Sequence, residues 1–499
     1  MYRRTIIAAL SLVLSVGAAS GQSGNFRIGK WMETQNYIVN ALNKVYVDTL
    51  PIDKMQRAAI DAMLEELDPY TIYVPEEEVE DFALQIGGIY GGIGAIISKK
   101  VGEGVFINEP YAGTPCVKAG MEAGDEIILI DGEDVKPLDS KKCSDMMKGQ
   151  PGSTVDFLVR KVHTGDTVAV RVRREQIHLS SVEYAGMLDE STGYILQTGF
   201  NEGVGQTIRN KVVEMKGQGM KKLILDLRGN GGGLLTEAVE IVSIFVPKNT
   251  LVVTSRGRDG VVRETYRTKN QPVDLDMPVV VLADGGSASS SEIVSGALQD
   301  LDRATIMGQR TFGKGLVQSV LPLPYGGQLK VTVAKYYTPS GRCVQAIDYS
   351  HREDGKPVHV PDSLTHEFKT SRGRIVRDGG GITPDVALEL PKYDDIVYSL
   401  VYAGIPGQYA LKYKIEHDCI PSAEEFHFAD YEDFVRYAKT FLKEDAWPSL
   451  ERLDPAQIIP FIEEEIVTRY YFREEGIKVR LRYDKMLQQA EQSKLIWDK

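Results

Sequence analysis

Apolar positions recur with a helical period near the start of the chain. Between residues 25 and 67, Trp31, Tyr37, Ile38, Ala41, Leu42 and Val45 fall at three- and four-residue spacing, the pattern of a helix with one face to bury. After a break at Leu50-Pro51 the spacing returns in Met55, Ala58, Ala59, Met63 and Leu64. Leu67-Asp68-Pro69-Tyr70 closes the stretch, because the residue before a proline is pushed out of the α region. Such a region serves equally as a cap on a core or as a dimerisation arm.

From residue 86 to 176 the helical period gives way to short apolar runs. Gly91-Gly92-Ile93-Gly94 precedes a strand at Ala95, Ile96 and Ile97, and further strands are expected at 105–109, 127–130, 155–159 and 167–172. Gly120 ends a short helix after Pro115, Asp131-Gly132 is a hairpin signal, and residues 140–147 form a second helix. Many short strands with one or two short helices make a small, partly open β-barrel.

Beyond residue 182 strands and helices alternate. Lys222-Leu223-Ile224-Leu225-Asp226-Leu227 and Pro278-Val279-Val280-Val281-Leu282-Ala283 are almost wholly apolar, as strands buried on both faces are. Each leads through a turn into a helix, so crossover units around a mostly buried sheet are expected. Residues 348–381 are polar and read as a surface insertion. The last hundred or so residues return to a charge-faced helical pattern whose role the sequence does not disclose.

With 499 residues the chain is too long for one ordinary domain. The formal charge of −12 argues against nucleic acid as a partner. Four cysteines, Cys116, Cys143, Cys343 and Cys419, show no CxxC spacing, so no metal or other cofactor is expected, and the pairing of Cys116 with Cys143 stays open. Arg3 and Arg4, an apolar run from Ile6 to Val16 and the small residues Gly17, Ala18, Ala19 and Ser20 form the pattern of a cleaved secretory signal over residues 1–21. The run is shorter than the roughly 20 apolar residues of a membrane span. An exported, periplasmic or extracellular protein, soluble or peripherally membrane-associated, is expected.

Two segments carry candidate chemistry. Asp284-Gly285-Gly286-Ser287-Ala288-Ser289-Ser290-Ser291-Glu292 joins a buried strand to a helix, where a serine can sit beside unsatisfied N–H groups. A serine there is more often only a helix cap, and as a nucleophile it needs a base within reach. Thr311-Phe312-Gly313-Lys314-Gly315 places a lysine between glycines, which suits a loop pressed against other backbone. A lysine base must be neutral, and desolvation can bring its pKa down from about 10.4; most lysines are instead solvated at the surface. The Gly-Lys pair fails as a phosphate loop, because Gly315 stands where Ser or Thr is required. A histidine triad is the natural competitor, but His163, His178, His351, His359, His366, His417 and His427 all lie outside these segments.

The glycine-led strand order of residues 86–176 resembles a PDZ domain, and the two catalytic segments resemble the carboxy-terminal processing, or tail-specific, serine proteases. The resemblance implies Ser289 as nucleophile, Lys314 as general base and Gln318 as the residue that orients it. Ser290 stands where the family has alanine and is implied to contribute its backbone N–H to the oxyanion hole. The second donor is implied in Asp226-Leu227-Arg228-Gly229-Asn230-Gly231-Gly232, as Gly231 or Gly232, each such donor being worth roughly 3 kcal/mol in the transition state. In the PDZ module, Gly92, Ile93 and Gly94 are implied to hold a peptide's terminal carboxylate and Ala95 and Ile96 to pair with it; the plain alternative is a tight turn.

The expected architecture is therefore a multidomain α+β chain: a helical region at 25–85, PDZ at 86–176, a ClpP/crotonase-like protease core at 182–395, and a helical region at 396–499. Expected partners are proteins or peptides with free apolar C-termini, with room for an adaptor protein and a homo-oligomer. The competing readings are an inert exported PDZ scaffold and a nucleotide-dependent enzyme.

Overall fold

A computed structural model describes residues 24–99, 104–353, 356–493 and 495. The expected signal segment, residues 1–21, lies outside the described residues. Two units separate at Pro69–Tyr70. In the first, helices Gly24–Val45 and Ile52–Glu65 flank the break at Pro51. The periodicity of the first helix suggests a buried face, yet none of its residues is buried, and Trp31 and Tyr37 are 65% and 77% exposed. Spacing determines which residues share a helix face; it does not supply the surface that would cover them.

The second unit begins at Tyr70. Strands Ala95–Lys99, Val105–Pro110, Glu126–Ile130, Thr154–Arg160 and Thr167–Arg173 form one sheet in that order. Val105 and Ile107, on alternate strand positions, are buried with Ile127, Ile130 and Val159 beneath helix Ser140–Met147; an irregularity between Ile127 and Leu129 turns both Ile127 and Ile130 inward. Ala95–Lys99 is at the sheet's edge. Ile89–Gly92 pairs antiparallel with Glu175–His178, so the segment leaves the chain and rejoins it through one two-stranded ladder. Cys116 and Cys143 are buried there as free thiols, and burial pushes the Cys116 thiol up to about 12.

A six-stranded sheet follows, in the order Val182–Met187, Thr192–Gln197, Lys222–Asp226, Val279–Ala283, Thr305–Gly308 and Val386–Ala387. All its neighbours are parallel except the first pair. Leu223, Ile224 and Leu225 pair with Val279, Val280 and Val281, and all six side chains are inaccessible, which explains their unbroken apolar sequence. Helices Val204–Gly217, Leu235–Val242 and Ser290–Asp300 follow successive strands, so the turns after Asp226, Ala283 and Gly308 all gather at the carboxyl end of the sheet, where open α/β folds place their sites.

A second sheet runs Ile72–Val74, Gln328–Tyr337, Leu251–Arg256, Val262–Arg267, with Leu316–Pro322 also paired to Gln328–Tyr337. The polar stretch at 348–381 contains two hairpins, Ile347–Glu353 with Lys356–His359 and Glu367–Lys369 with Ile375–Arg377. Its base is fixed by Arg374, which donates to Asp302 Oδ1 at 2.6 Å and to the Gln299 carbonyl at 3.2 Å. Towards the C-terminus, helices Asp395–Tyr402, Ile405–Glu416, Tyr431–Lys439 and Ile459–Leu481 share a core containing Leu400, Tyr409, Phe434 and Ile462. The last helix, Lys485–Gln492, instead lays Met486, Leu487 and Ala490 against Tyr194, Ile224 and Val280 of the parallel sheet.

Candidate active site

The turn after Val279–Ala283 delivers Ser289 to the head of helix Ser290–Asp300 with φ +56° and ψ −113°, a conformation that strains any residue with a Cβ. The strain persists because the turn is fixed on every side. Ser287 Oγ donates to the Leu227 carbonyl at 2.7 Å, the Ala288 N–H to the Asn230 carbonyl at 3.0 Å, and Ser291 Oγ to the same carbonyl at 2.8 Å. The glycine loop and the serine turn are thus laced together.

Glu292, inaccessible to solvent, is the strongest link. One carboxylate oxygen accepts the Ser289 N–H at 2.9 Å and the Lys314 N–H at 2.8 Å; the other accepts Thr311 Oγ1 at 2.6 Å and the Gly313 N–H at 2.7 Å. Burial pushes the Glu292 carboxyl up, against the pull of these four donors. A serine followed three residues later by glutamate is the sequence signature of a capping box; here its glutamate also reaches across to the lysine loop. The signal was in the motif, but the loop it ties down was not.

The glycines around Lys314 have a steric cause. A Cβ on Gly313 would come within 2.4 Å of the Ala346 Cβ, and one on Gly315 within 2.8 Å of the Gln345 nitrogen. The lysine reaches over the face of Tyr70, its Nζ 4.1 Å from the ring centroid. Tyr70 in turn meets Tyr349 of the polar insertion edge to face, with the two hydroxyls 3.4 Å apart. Gln318 donates to Thr332 Oγ1 at 3.2 Å.

Ser289, Ser290, Gly231, Gly232, Lys314 and Gln318 all line one cavity of about 460 Å³, with Leu234, Leu235, Ile293 and Val317 among its apolar walls. Among the described residues, no histidine lines it. Among the described residues no group of three or more His, Cys, Asp or Glu side chains is placed to hold a metal ion.

The model of peptidase family S41 matches residues 191–350, and that of the PDZ domain matches residues 84–160. A probable CtpA-like serine protease of Staphylococcus epidermidis is 32% identical over 398 residues, covering 79% of this chain and 72% of that one. This chain belongs to peptidase family S41. A Staphylococcus aureus relative of the same description is 32% identical over 363 residues, covering 72% of this chain and 65% of its own length. A solved photosystem II D1 C-terminal processing protease is 28% identical, covers 70% of this chain and 86% of that one, and superposes with a TM-score of 0.38.

The protein is thus an S41 serine protease with a PDZ domain and mixed α and β content. Its glycine loop depends on polar groups that motif reading left without roles. Asn230, fully buried, donates from its amide to the Gln197 carbonyl at 2.9 Å and accepts the Gly232 N–H at 2.9 Å. Asp284 Oδ1 accepts the Gly229 N–H at 2.8 Å. At the strand end, Tyr194 donates its hydroxyl to Asp226 Oδ2 at 2.7 Å, and Arg228 Nε bridges both Asp226 oxygens at 3.0 Å. Burial, then the Asp226 charge, pushes the Tyr194 hydroxyl well above its ordinary range, so it remains a donor.

The PDZ loop is present as well. Gly92 ends strand Ile89–Gly92, and Ile93 and Gly94 join it to Ala95–Lys99, with the Gly94 carbonyl accepting from the Tyr111 N–H at 3.0 Å and from Thr114 Oγ1 at 2.9 Å. Among the described residues, no helix is long and apolar enough to cross a membrane.

Proposed function

We propose that this S41 protease cuts peptide bonds with a Ser289–Lys314 dyad and selects its substrates by a free, apolar C-terminus. The observation that carries the reading is the Glu292 carboxylate oxygen shared by the Ser289 and Lys314 N–H groups, which ties the two loops into one cavity wall. Ser289 Oγ attacks the scissile carbonyl carbon while its proton passes to neutral Lys314 Nζ. The oxyanion is met by the Ser290 N–H and one from the glycine loop. Because Gly232 donates to Asn230 in this conformation, Gly231 is the favoured donor. Collapse of the tetrahedral intermediate expels the amine, which takes its proton from Lys314. Water then attacks the acyl-enzyme, giving its proton to Lys314, and the product acid leaves as Ser289 Oγ regains a hydrogen. An aromatic face attracts an ammonium, so the amine must be neutral as it leaves the Tyr70 ring for the serine.

The same reading assigns Gly92, Ile93 and Gly94 to the substrate carboxylate and the free edge of Ala95–Lys99 to the peptide backbone, with Gln318 orienting the lysine. It also assigns a ClpP/crotonase-like core at 182–395, PDZ bounds of 86–176 and helical regions at both ends. Export behind a signal at residues 1–21, a homo-oligomer and an adaptor belong to it too. The test uses a folded protein bearing an apolar tail. Ser289→Ala and Lys314→Ala are each expected to lower kcat by at least about 10⁴-fold, and turnover persisting in either variant would refute the dyad.

A further inference from the structure

The C-terminal region carries no motif, yet one of its side chains reaches the strand end that launches the glycine loop. Arg228, the residue before that loop, is gripped by two carboxylates. Asp226 lies two positions before it, and Asp484 comes 256 residues later, at the head of the last helix. Arg228 Nη1 donates to Asp484 Oδ1 at 3.1 Å, and Nη2 donates to Asp484 Oδ2, a two-pronged pairing that fixes the guanidinium plane as well as its position. Only 18% of the Arg228 side chain and 15% of the Asp484 side chain remain exposed, so water screens the pair little. Burial alone would raise the Asp484 carboxyl; the hydrogen bonds and charge of Arg228 outweigh it and hold the group below its usual range.

The last helix is anchored to the same sheet. Met486, Leu487 and Ala490 pack with Tyr194, Ile224 and Val280, and Asp484 Oδ1 accepts the Leu487 N–H at 2.9 Å as the helix cap. The carboxylate is therefore delivered by a rigid element rather than by a loose tail. From Arg228 the constraint runs directly into the loop. The Arg228 N–H closes on Asp226 Oδ1 at 2.9 Å, the Asn230 N–H on the Leu227 carbonyl at 3.2 Å, and the Asn230 carbonyl accepts the N–H of Ala288, adjacent to Ser289, at 3.0 Å.

We infer that Asp484 is a positioning residue for proteolysis: through Arg228 it fixes the glycine loop that supplies an oxyanion donor. The inference rests on the oxyanion reading above. It gives the C-terminal helix a catalytic consequence, since an N–H displaced by a fraction of an ångström supports the ground-state complex but not the transition state.

The test compares full-length wild type, Ser289→Ala, Asp484→Asn, Arg228→Gln and the Asp484→Asn/Arg228→Gln double variant on one protein substrate with an apolar tail. Asparagine preserves the shape of the side chain and its helix cap, so the change isolates the charge. Asp484→Asn is expected to lower kcat roughly tenfold to a hundredfold with KM within about twofold, because the substrate-binding surfaces are untouched. The double variant is expected to be no slower than Arg228→Gln alone, as required if Asp484 acts through that arginine. Should the asparagine variant melt early, Asp484→Glu, which restores the charge, must recover kcat towards wild type. A wild-type kcat in Asp484→Asn, a double variant slower by the product of the two single effects, or no recovery with glutamate would each overturn the inference. Activity surviving in Ser289→Ala would instead overturn the dyad, so the two failures are distinguishable.

Discussion

The chain carries two glycine loops with related proposed tasks, one at residues 92–94 for a substrate's terminal carboxylate and one at 229–233 for a transient oxyanion. The PDZ loop is held through its carbonyls, by the Cys116 N–H on Ile93 at 2.9 Å and by the Tyr111 N–H and Thr114 hydroxyl on Gly94. The loop at 229–233 is held by side chains: Asp284, Ser287 and Ser291 from the serine turn and helix, its own Asn230, and the preceding Arg228 between its two carboxylates. The difference fits the two proposed tasks. A carboxylate is charged before it binds, and a loop that adjusts by a fraction of an ångström still binds it. An oxyanion exists only during reaction, and donors that must first reorganise to meet it contribute little. Side-chain cross-links are the means by which the second loop is made rigid in advance.

Three substitutions break this comparison at different points. Gly232→Ala has the largest expected effect. At φ +100° its methyl would fall 2.8 Å from the Ser289 Cβ and 3.0 Å from the Ser290 nitrogen, beside the proposed oxyanion donor. Steady-state kinetics are expected to show kcat lower by about a hundredfold or more, with tail-peptide affinity of the PDZ domain unchanged in a titration. Gly94→Ala should do the converse. Its φ is +77° and its methyl would fall 2.5 Å from the Thr114 Cβ, so the loop must shift. KM for a tailed substrate is expected to rise about tenfold, or 1.4 kcal/mol, with kcat at saturation retained. Thr114→Val is the mildest. It removes the hydroxyl that donates to the Gly94 carbonyl at 2.9 Å and to the Tyr111 carbonyl at 2.7 Å, and a rise in KM of about fivefold is expected, equal to one ordinary hydrogen bond of about 1 kcal/mol. An equal loss of kcat in all three variants would erase the distinction between the loops.

What could be read from the sequence divides along the same line. Strands Lys222–Asp226 and Val279–Ala283 were legible because burial on both faces leaves an unbroken apolar run. The serine and lysine segments were legible because each is short and contiguous. Glu292 was visible inside its motif, but its contacts to Thr311, Gly313 and Lys314 need the fold. Asp484 was invisible, since nothing local distinguishes it from any other helix-capping aspartate and its partner lies 256 residues away. The first helix shows the converse limit: a clear apolar period marks one face, and Gly24–Val45 buries none of its residues within the single chain, which does not decide between a cap and a dimerisation arm. Periodicity reports on one element, whereas burial is a property of two.

The backbone at residue 289 has a final consequence. With φ at +56° and ψ at −113°, this position suits glycine better than any residue bearing a side chain, by about 1–3 kcal/mol. The fold would relax only if the whole side chain were given up, and with it the oxygen proposed to react, so drift towards greater robustness at this position runs directly against turnover. The proposed nucleophile is thus kept where the scaffold alone would not choose to put it, and an inactivated descendant of this enzyme would be free to become the sturdier protein.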